Sequence, residues 1–168
     1  MTACNAPPRP DETLCIRAFR TGDEAALRDV FFTSVHALAC RNYTPAELAA
    51  WAPPQYDAAA WAARLQANQP FVAQIGGVPA GFADVQESGY IDQFFVAAAF
   101  AGRGLGQALM ARLLAEAAKR RIPMVWANVS LRAEPFFTRH GFILEARQVN
   151  TRHGLPLRNA RMTLRLPA

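Results

Sequence analysis

Apolar residues recur at helical spacing through the first part of the chain. The first apolar stripe consists of Leu27, Val30, Phe31, Val35 and Leu38. Thr21 and Glu24 have the spacing of a capping box, so the sequence predicts that this helix begins there. Thr44, followed by a proline and a glutamate at favoured positions, predicts a second helix start, and Asp57 predicts a third.

The pattern then changes to the short apolar runs of strands. Gly76 and Gly77 separate two such runs and predict a two-residue hairpin turn. Strands are predicted at residues 14–19, 71–75, 79–86, 90–96, 124–129, 142–150 and 157–166, with a long helix at residues 104–121. We expect one domain at residues 13–168, preceded by a flexible segment at residues 1–12.

Composition excludes several classes of protein. Of the 168 residues, 52% are hydrophobic, so the chain is not a disordered one, and no apolar run is long enough to span a bilayer. The three cysteines follow no metal-ligand spacing. We therefore expect no metal site. The first residues lack the pattern of a signal peptide, so we expect a cytoplasmic protein.

Charge is divided unevenly along the chain. Residues 1–92 carry a net charge of −4, and residues 93–168 carry +9. A basic half attracts nucleic acid or a small polyanion such as a coenzyme, whereas an acidic half suits a cationic partner. No Lys/Arg run extends beyond residues 119–121 and no nucleic-acid-binding motif is present. We therefore expect neither nucleic acid nor a membrane as partner.

Three glycines alternate between a predicted strand and the long predicted helix. Gly102, Gly104 and Gly106 leave the backbone bare where the first helical amides have no partner, so an anion can approach them. Arg103 adds a cationic donor. The alternative is a flexible turn. No Gly-Lys-Ser/Thr follows, as a P-loop requires, and Gln107 after Gly106 does not fit the GxGxxG dinucleotide motif.

Two segments resemble motifs of the GNAT acyltransferases, the general-control-related N-acetyltransferases. Residues 101–106 resemble the family's coenzyme A loop, Gln/Arg-x-x-Gly-x-Gly/Ala. Residues 128–142 resemble its Asn-x-Ser…Phe-Tyr-x-x-x-Gly-Phe segment. Two positions differ from the family: Ala101 replaces the usual Gln or Arg, and Phe137 replaces the tyrosine that protonates the leaving thiolate in many members.

The resemblance implies a fold and an activity. The fold is of the α/β (α+β) class, with a mixed, mostly antiparallel central sheet of about six to seven strands flanked by helices. The activity is transfer of an acetyl group from acetyl-CoA directly to an amine in a ternary complex. The alternative is a non-catalytic acyl-CoA-binding domain of the same fold, to which Phe137 points.

The resemblance also implies a coenzyme site. The strand at residues 90–96 would splay from its neighbour, so that its free backbone groups pair with pantetheine. An amide near Phe95 or Val96 would polarise the thioester carbonyl. The residues expected to bind the coenzyme are Phe94, Phe95, Val96, Ala101, Gly102, Arg103, Gly104, Leu105, Gly106, Gln107, Asn128, Ser130 and Phe137.

Two residues are candidates for the base that takes the amine proton. Asp92 alternates with Tyr90 and Phe94 on one face of the predicted strand; the alternative is a structural carboxylate paired with an arginine. His36 lies off its apolar stripe beside Phe32, where the family often builds the acceptor pocket. The alternative for His36 is an exposed or structurally satisfied ring.

The acceptor pocket is expected to contain Phe32, His36, Tyr43 and Tyr90. Tyr43 could also replace the missing thiolate donor. Trp51, Tyr56 and Trp61 form its walls or else pack their helices on the sheet. From the acidic half we expect a cationic small-molecule or peptide amine as acceptor, and a homodimer is possible.

Overall fold

The computed structural model describes residues 13–167. Its strands are β1 (Leu14–Ala18), β2 (Phe71–Ile75), β3 (Val78–Ala83), β4 (Tyr90–Ile91), β5 (Phe94–Val96), β6 (Met124–Ser130), β7 (Ile143–Arg152) and β8 (Leu155–Arg165). Its α-helices are α1 (Glu24–Thr33), α2 (Pro45–Trp51), α3 (Ala58–Asn68), α4 (Leu105–Lys119) and α5 (Glu134–Arg139). A π-helical segment, Ser34–Leu38, extends α1, and a 3-10 turn, Ala98–Phe100, precedes the glycine loop. The predicted flexible segment, residues 1–12, lies outside the described residues.

Polar residues begin α2 and α3 as predicted. The hydroxyl of Thr44 accepts a hydrogen bond from the amide of Glu47 at 3.2 Å, and the Glu47 carboxylate accepts one from the Thr44 amide at 2.7 Å. This is a complete capping box. Asp57 accepts a hydrogen bond from an amide in the first turn of α3 at 3.0 Å. Both starts are therefore determined by contacts between residues close in sequence.

The start of α1 differs from the prediction. Thr21 and Glu24 do not form a capping box: the N-cap is Asp23, and the Glu24 carboxylate accepts a hydrogen bond from the Gly22 amide at 2.6 Å. The Asp23 carboxylate makes no cap bond either, because Arg17 holds it in a bidentate pair at 2.7 and 2.8 Å. A contact with β1 has replaced the local cap.

The residues predicted as one strand at 90–96 form two strands in different sheets. β4 pairs in parallel with β6, whereas β5 pairs antiparallel with β3. The sheet orders are β1-β2-β3-β5 and β4-β6-β8-β7. The mixed, mostly antiparallel α/β class is confirmed, with eight strands in two sheets rather than six to seven in one. The predicted alternation of Tyr90, Asp92 and Phe94 along one strand is wrong, because the strand is interrupted at Asp92.

Helices α1 and α4 pack in the two apolar clusters that enclose β2 and β3. Leu27 of α1 belongs to one cluster with Phe82 of β3, and Leu109 and Met110 of α4 belong to the other. All four side chains are fully buried, and each contributes about 1.5–3 kcal/mol through removal of apolar surface from water. This packing holds β5, which pairs with β3, in a fixed relation to the glycine loop that leads into α4.

Three features of the described range bear on the expectations from composition. Among residues 13–167, no helix combines the length and apolarity that crossing a membrane requires. Cys15 and Cys40 are exposed free thiols, whereas Cys4 lies outside that range. Within it, the His, Cys, Asp and Glu side chains form no cluster of three or more that could hold a metal ion.

Candidate active site

β4 and β6 run side by side only briefly before the two chain segments diverge. Ile91 pairs with Ala127, but beyond that point β5 bonds to β3 and β6 bonds to β8. Within residues 13–167, no backbone hydrogen bond joins β5 to β6. The facing edges of these strands are therefore available to a ligand. This arrangement agrees with the splayed strands that the family resemblance implied.

A cavity of about 490 Å³, here called the loop cavity, is lined by residues of both diverging strands, the glycine loop and α5. It brings together all but one of the predicted coenzyme residues, namely Phe94, Phe95, Val96, Ala101, Gly102, Gly104, Leu105, Gly106, Gln107, Asn128, Ser130 and Phe137. Arg103 is not in this lining, and its guanidinium carbon lies 5.6 Å from the ring centre of Phe100.

The glycine loop presents bare backbone at the N-terminus of α4. Gly102 and Gly104 have φ angles of 76° and 84°, which favour glycine, and a Cβ at either position would project into open space. Gly104 is the N-cap and carries no side chain that could bond the unpartnered first-turn amides. Gly106 is different, because a Cβ there would lie 3.2 Å from the ring of Phe136. Glycine at 102 and 104 therefore leaves space for an anion, and glycine at 106 allows the close packing of Phe136.

A second cavity of about 520 Å³, here called the aromatic cavity, has seven aromatic rings in its lining. The rings are those of Phe31, Tyr43, Trp51, Tyr56, Trp61, Tyr90 and Phe95. The Phe31 ring stacks on Trp61 at 5.6 Å and meets Phe95 edge-on at 4.8 Å. Trp51, Tyr56 and Trp61 therefore do line a cavity, while Trp61 also packs in the core and donates a hydrogen bond to the carbonyl of Glu24 at 2.8 Å.

The two cavities meet beside the opening between the strands. They share the lining residues Trp51, Asp92, Phe95, Asn128 and Ser130. The side-chain oxygen Oδ1 of Asn128 accepts a hydrogen bond from Nε2 of Gln148 at 2.5 Å. The Ser130 hydroxyl accepts one from the amide of Ala133 at 3.2 Å. Groups bound in the two cavities can therefore come into contact at this junction.

Asp92 is a carboxylate held by two side chains of α3. Arg64 donates to it from Nε and Nη2 at 2.9 and 2.8 Å, and Asn68 donates at 2.7 Å. Burial works to raise the pKa of Asp92, but hydrogen bonds and charge from Arg64, together with Asn68, hold it below its ordinary value. The arginine pairing considered as an alternative is therefore present. The carboxylate nevertheless lines both cavities.

Asp84 is a second, fully buried carboxyl group next to Asp92. Its oxygens accept hydrogen bonds from Gln86 at 2.9 Å, from the amide of Asp92 at 3.1 Å and from Asn68 at 3.2 Å. Burial raises the pKa of Asp84 to about 6 in spite of these bonds. Asn68 therefore bridges two carboxyl groups that differ in their affinity for protons.

Asp84 should make folding stability depend on pH. The folded-state pKa of Asp84, about 6, exceeds the ordinary value. The contribution of Asp84 to the free energy of unfolding is therefore full below about pH 4 and is lost as pH rises through about 6. We expect Asp84→Asn to destabilise the protein by about 2 kcal/mol less at about pH 8 than at about pH 4.5. Urea unfolding at both pH values measures this difference. The exposed-acid variant Glu87→Gln is the control, and an equal Asp84→Asn effect at both pH values would contradict the burial argument.

Tyr43 lies at the aromatic cavity although its helix is distant in sequence. Its hydroxyl donates to the carbonyl of Arg158 at 2.6 Å and accepts from the amide of Leu131 at 3.0 Å. Burial raises its pKa. Because this proton is already engaged, the geometry gives no support to Tyr43 as a thiolate donor. Tyr90, the other predicted pocket tyrosine, lines the same cavity and stacks on Trp126 at 4.4 Å.

Phe137 is a core residue as well as part of the loop cavity. It is buried, with ring-to-ring distances of 4.9 Å to Phe142, 5.7 Å to Phe94 and 5.8 Å to Phe136. The side chain at this position therefore supplies packing and no proton.

His36 and Phe32 line neither the loop cavity nor the aromatic cavity. Their rings stack at 4.2 Å, and Nε2 of His36 is 2.8 Å from the carbonyl oxygen of Ala52. Both residues line a third cavity of about 640 Å³. The structure does not bring them to the junction, and the roles predicted for them have no support in the geometry.

Sequence reasoning missed the cationic and basic residues of the aromatic cavity, among them Arg28, Arg64 and His153. Arg28 and Arg64 lie on helices, where their positions off the apolar stripes gave no indication of what they face. His153 lies in the turn between β7 and β8, where its Nδ1 is 2.8 Å from the carbonyl oxygen of Ala50. Since a carbonyl only accepts, Nδ1 carries the hydrogen and neutral His153 keeps Nε2 as an acceptor. No sequence pattern signalled this contact.

The charge of the aromatic cavity differs from the charge of the chain's first half. Four arginines line it, against the two acids Asp57 and Asp92. They are Arg28, Arg64, Arg152 and Arg158. Two of these arginines come from β7 and β8, in the basic half of the sequence. The acidic lining expected for a cationic acceptor is therefore absent from this cavity as the described residues form it.

The fold and the motifs agree with one family, and the chain belongs to it. The acetyltransferase (GNAT) domain family matches residues 39–164. YafP of Escherichia coli K12, an uncharacterised N-acetyltransferase, is 34% identical over 127 residues, which are 76% of this chain and 79% of that protein.

Solved structures resemble this fold over most of its length. A GCN5-related N-acetyltransferase from Rhodopseudomonas palustris has a TM-score of 0.88 and 30% identity, with 92% of this chain and 96% of that one covered. PaiA N-acetyltransferase from Thermoplasma acidophilum, in complex with coenzyme A, has a TM-score of 0.73 and 15% identity over 92% and 99%. At that identity the likeness to PaiA establishes the fold alone.

Proposed function

We propose that this protein is an N-acetyltransferase that binds acetyl-CoA in the loop cavity and an amine in the aromatic cavity. The observation that carries this proposal is the junction of the two cavities beside the diverging strands, at Asp92, Phe95 and Ser130. Membership of the GNAT family supports it further. Direct transfer in a ternary complex requires this arrangement, because both substrates must be bound when the reaction occurs.

The residues of the loop cavity fit a coenzyme A molecule. Gly102 and Gly104 leave open space in front of the first amides of α4, where the helix dipole favours a pyrophosphate. Two further cations in the lining, Arg132 and Arg139, suit its phosphates. The missing side chain at Ala101 removes one donor and leaves these groups in position. The free edges of β5 and β6 suit the amides of pantetheine, which would bond as an added strand does.

Acetyl-CoA would supply the thioester. Residues of this chain would orient the amine, accept its proton and stabilise the negative charge that develops on the carbonyl oxygen. The nitrogen–carbon bond forms as the carbon–sulfur bond breaks, and the sulfur leaves as a thiolate. We assign to Asp92 the orientation of the amine and the first acceptance of its proton, which then passes to solvent because the pKa of Asp92 is low. A free backbone amide near Phe95 or Val96 would stabilise the negative charge on the carbonyl oxygen.

The leaving thiolate takes its proton from solvent in this scheme. Phe137 has no hydroxyl, and the hydroxyl of Tyr43 already donates to Arg158. A thiol with a pKa of about 8.5 is a tolerable leaving group without an acid. Neither exposed cysteine, Cys15 or Cys40, lines the loop or aromatic cavity, which supports direct transfer rather than a cysteine-bound acetyl group.

A second candidate function is acyl-CoA binding without catalysis. It is favoured by Phe137, since the position that supplies an acid in many GNAT enzymes has only a packing role here. The two functions make the same prediction for coenzyme binding. They differ in whether an amine causes release of the thiol.

A thermal melt with acetyl-CoA tests the proposed binding. At about 100-fold excess over Kd, specific binding adds about 2.7 kcal/mol, so we expect Tm to rise by about 5–10 °C with acetyl-CoA and not with ATP or duplex DNA. Thiol release in the presence of an amine panel then separates the enzyme from the binding domain. An unchanged Tm at saturating acetyl-CoA would refute both functions.

A further inference from the structure

Arg28 is a buried cation in the wall of the aromatic cavity. It is only 7% exposed, and its guanidinium carbon lies 4.3 Å from the ring centre of Tyr56, 5.0 Å from that of Phe31 and 5.5 Å from that of Trp61. Nη2 donates to the carbonyl of Pro53 at 2.5 Å. Burial lowers the pKa of Arg28, which reflects the poor solvation of its charge.

Arg28 has no carboxylate partner among the residues that the structure describes. None of the ion pairs formed among residues 13–167 involves it. The two acids of the cavity are otherwise engaged, Asp92 with Arg64 and Asp57 at the start of α3. A buried charge without an opposite charge is costly, and an anionic group on a ligand would remove that cost.

A buried donor without a hydrogen-bond partner lines the same cavity. Gln93 is 1% exposed, and its Nε2 has no hydrogen-bond partner among the described residues. Its side-chain oxygen accepts a hydrogen bond from Asn68 at 3.4 Å. A buried N–H without an acceptor is unfavourable, and a ligand oxygen would satisfy it. Two separate observations therefore indicate a ligand that brings negative charge or oxygen acceptors into this cavity.

We propose that the acceptor is an amine that also carries a carboxylate, and that Arg28 binds this carboxylate. The inference rests on the proposed function, and names its substrate class. A planar guanidinium presents paired N–H donors that match the two oxygens of a carboxylate. The aromatic rings of Phe31, Tyr56 and Trp61 pack around the guanidinium and hold it in one orientation.

The carboxylate subsite lies close enough to the junction for one small molecule to reach both. The Phe31 ring is 5.0 Å from the Arg28 guanidinium carbon and 4.8 Å from the Phe95 ring, and Phe95 belongs to both cavities. A single aromatic ring therefore separates Arg28 from the junction residues. An amino acid bound with its carboxylate at Arg28 would direct an amine toward Asp92.

Matched acceptors test this inference on the wild-type protein. Thiol release from acetyl-CoA is measured with the common amino acids, with ω-amino acids of increasing length, and with the carboxamide of each. We expect at least one acid to be used about 10- to 100-fold better in kcat/KM than its carboxamide. An α-carboxamide amine is less basic than that of the acid, so amine protonation cannot produce this preference.

Variants of Arg28 attribute the preference to one residue. Arg28→Met should lower kcat/KM for the preferred acid by about 10- to 100-fold, mainly through a higher KM. It should leave kcat/KM for the carboxamide and the affinity for acetyl-CoA unchanged. Arg28→Lys keeps the charge and loses the fork, so it should restore part of the preference. Arg41→Met, which removes an exposed arginine, is the control for net charge.

The outcomes separate this inference from the function on which it rests. Equal use of acids and carboxamides, or use of carboxylate-free amines alone, by a protein that binds acetyl-CoA would overturn the carboxylate subsite and leave the acetyltransferase intact. An unaltered preference in folded Arg28→Met would also overturn it. Failure to bind acetyl-CoA would overturn the proposed function first and this inference with it. Because the wild-type comparison needs no variant, a poorly folding Arg28→Met does not block the test.

Discussion

Replacing Gly104 with valine is expected to weaken acetyl-CoA binding by about 100-fold or more. The residue has φ of 84° and is the N-cap of α4, and a β-branched side chain is strongly disfavoured in that conformation. A side chain there would also occupy the open space in front of the first helical amides. Loss of two charge-assisted hydrogen bonds at about 1.5 kcal/mol each accounts for a factor of about 100. Calorimetric titration with acetyl-CoA measures it.

The hairpin glycine Gly77 offers a matched control for this strain. It has φ of 79°, and a Cβ there would also meet nothing within 4 Å, but it lines neither the loop cavity nor the aromatic cavity. Gly77→Val should therefore cost similar stability and leave acetyl-CoA affinity unchanged. Equal affinities of the two folded variants would mean that the glycine loop is only a turn.

Replacing Asp92 with asparagine is expected to lower kcat/KM by about 100-fold, with the affinity for acetyl-CoA unchanged. The substitution keeps size and shape but removes the negative charge that orients the amine, and such a group contributes at least about 100-fold to proton transfer. The effect should persist across neutral pH, because the low pKa of Asp92 keeps it ionised there. Steady-state thiol release from about pH 6 to pH 9 measures the change.

Two comparisons separate chemistry from structure at Asp92. Asparagine leaves Arg64 without its ion-pair partner, so the folding stability of the variant must be measured beside its kinetics. Glu87→Gln removes an exposed acid at a nearby turn and should alter neither. If Asp92→Asn is less stable but turns over normally, the carboxylate has only the structural pairing role that the sequence left open.

Local features were predictable because their causes are local. The start of α2 depends on Thr44 and Glu47, three residues apart, and the hairpin depends on Gly76 and Gly77, both of which have positive φ. The bare loop before α4 follows from the intrinsic freedom of glycine. The family resemblance added the expectation of splayed strands, and the pairing of β4 and β5 with different neighbours agrees with it.

Predictions failed where a distant residue changed the outcome. The cap of α1 is one case, because Arg17 of β1 holds Asp23, and the interruption at Asp92 is another, because β4 and β5 belong to different sheets. Helical periodicity separated the buried stripe of α1 from the rest of its surface. It could not tell that Arg28 rather than His36 would face the aromatic cavity, since that depends on which elements pack around the helix.

By itself, the sequence determined the family, the helix starts at Thr44 and Asp57, and the glycine loop, because each depends on neighbouring residues or on a recognisable motif. It also determined the order of elements, apart from the division of residues 90–96 into two strands. Only the tertiary structure decided the composition of the site. It brings Arg64 to Asp92, carries Arg152 and Arg158 from the basic half to the aromatic cavity, and leaves Arg28 without a carboxylate partner among residues 13–167. Long-range packing sets these relations, and the pattern of residues along the chain does not contain that information.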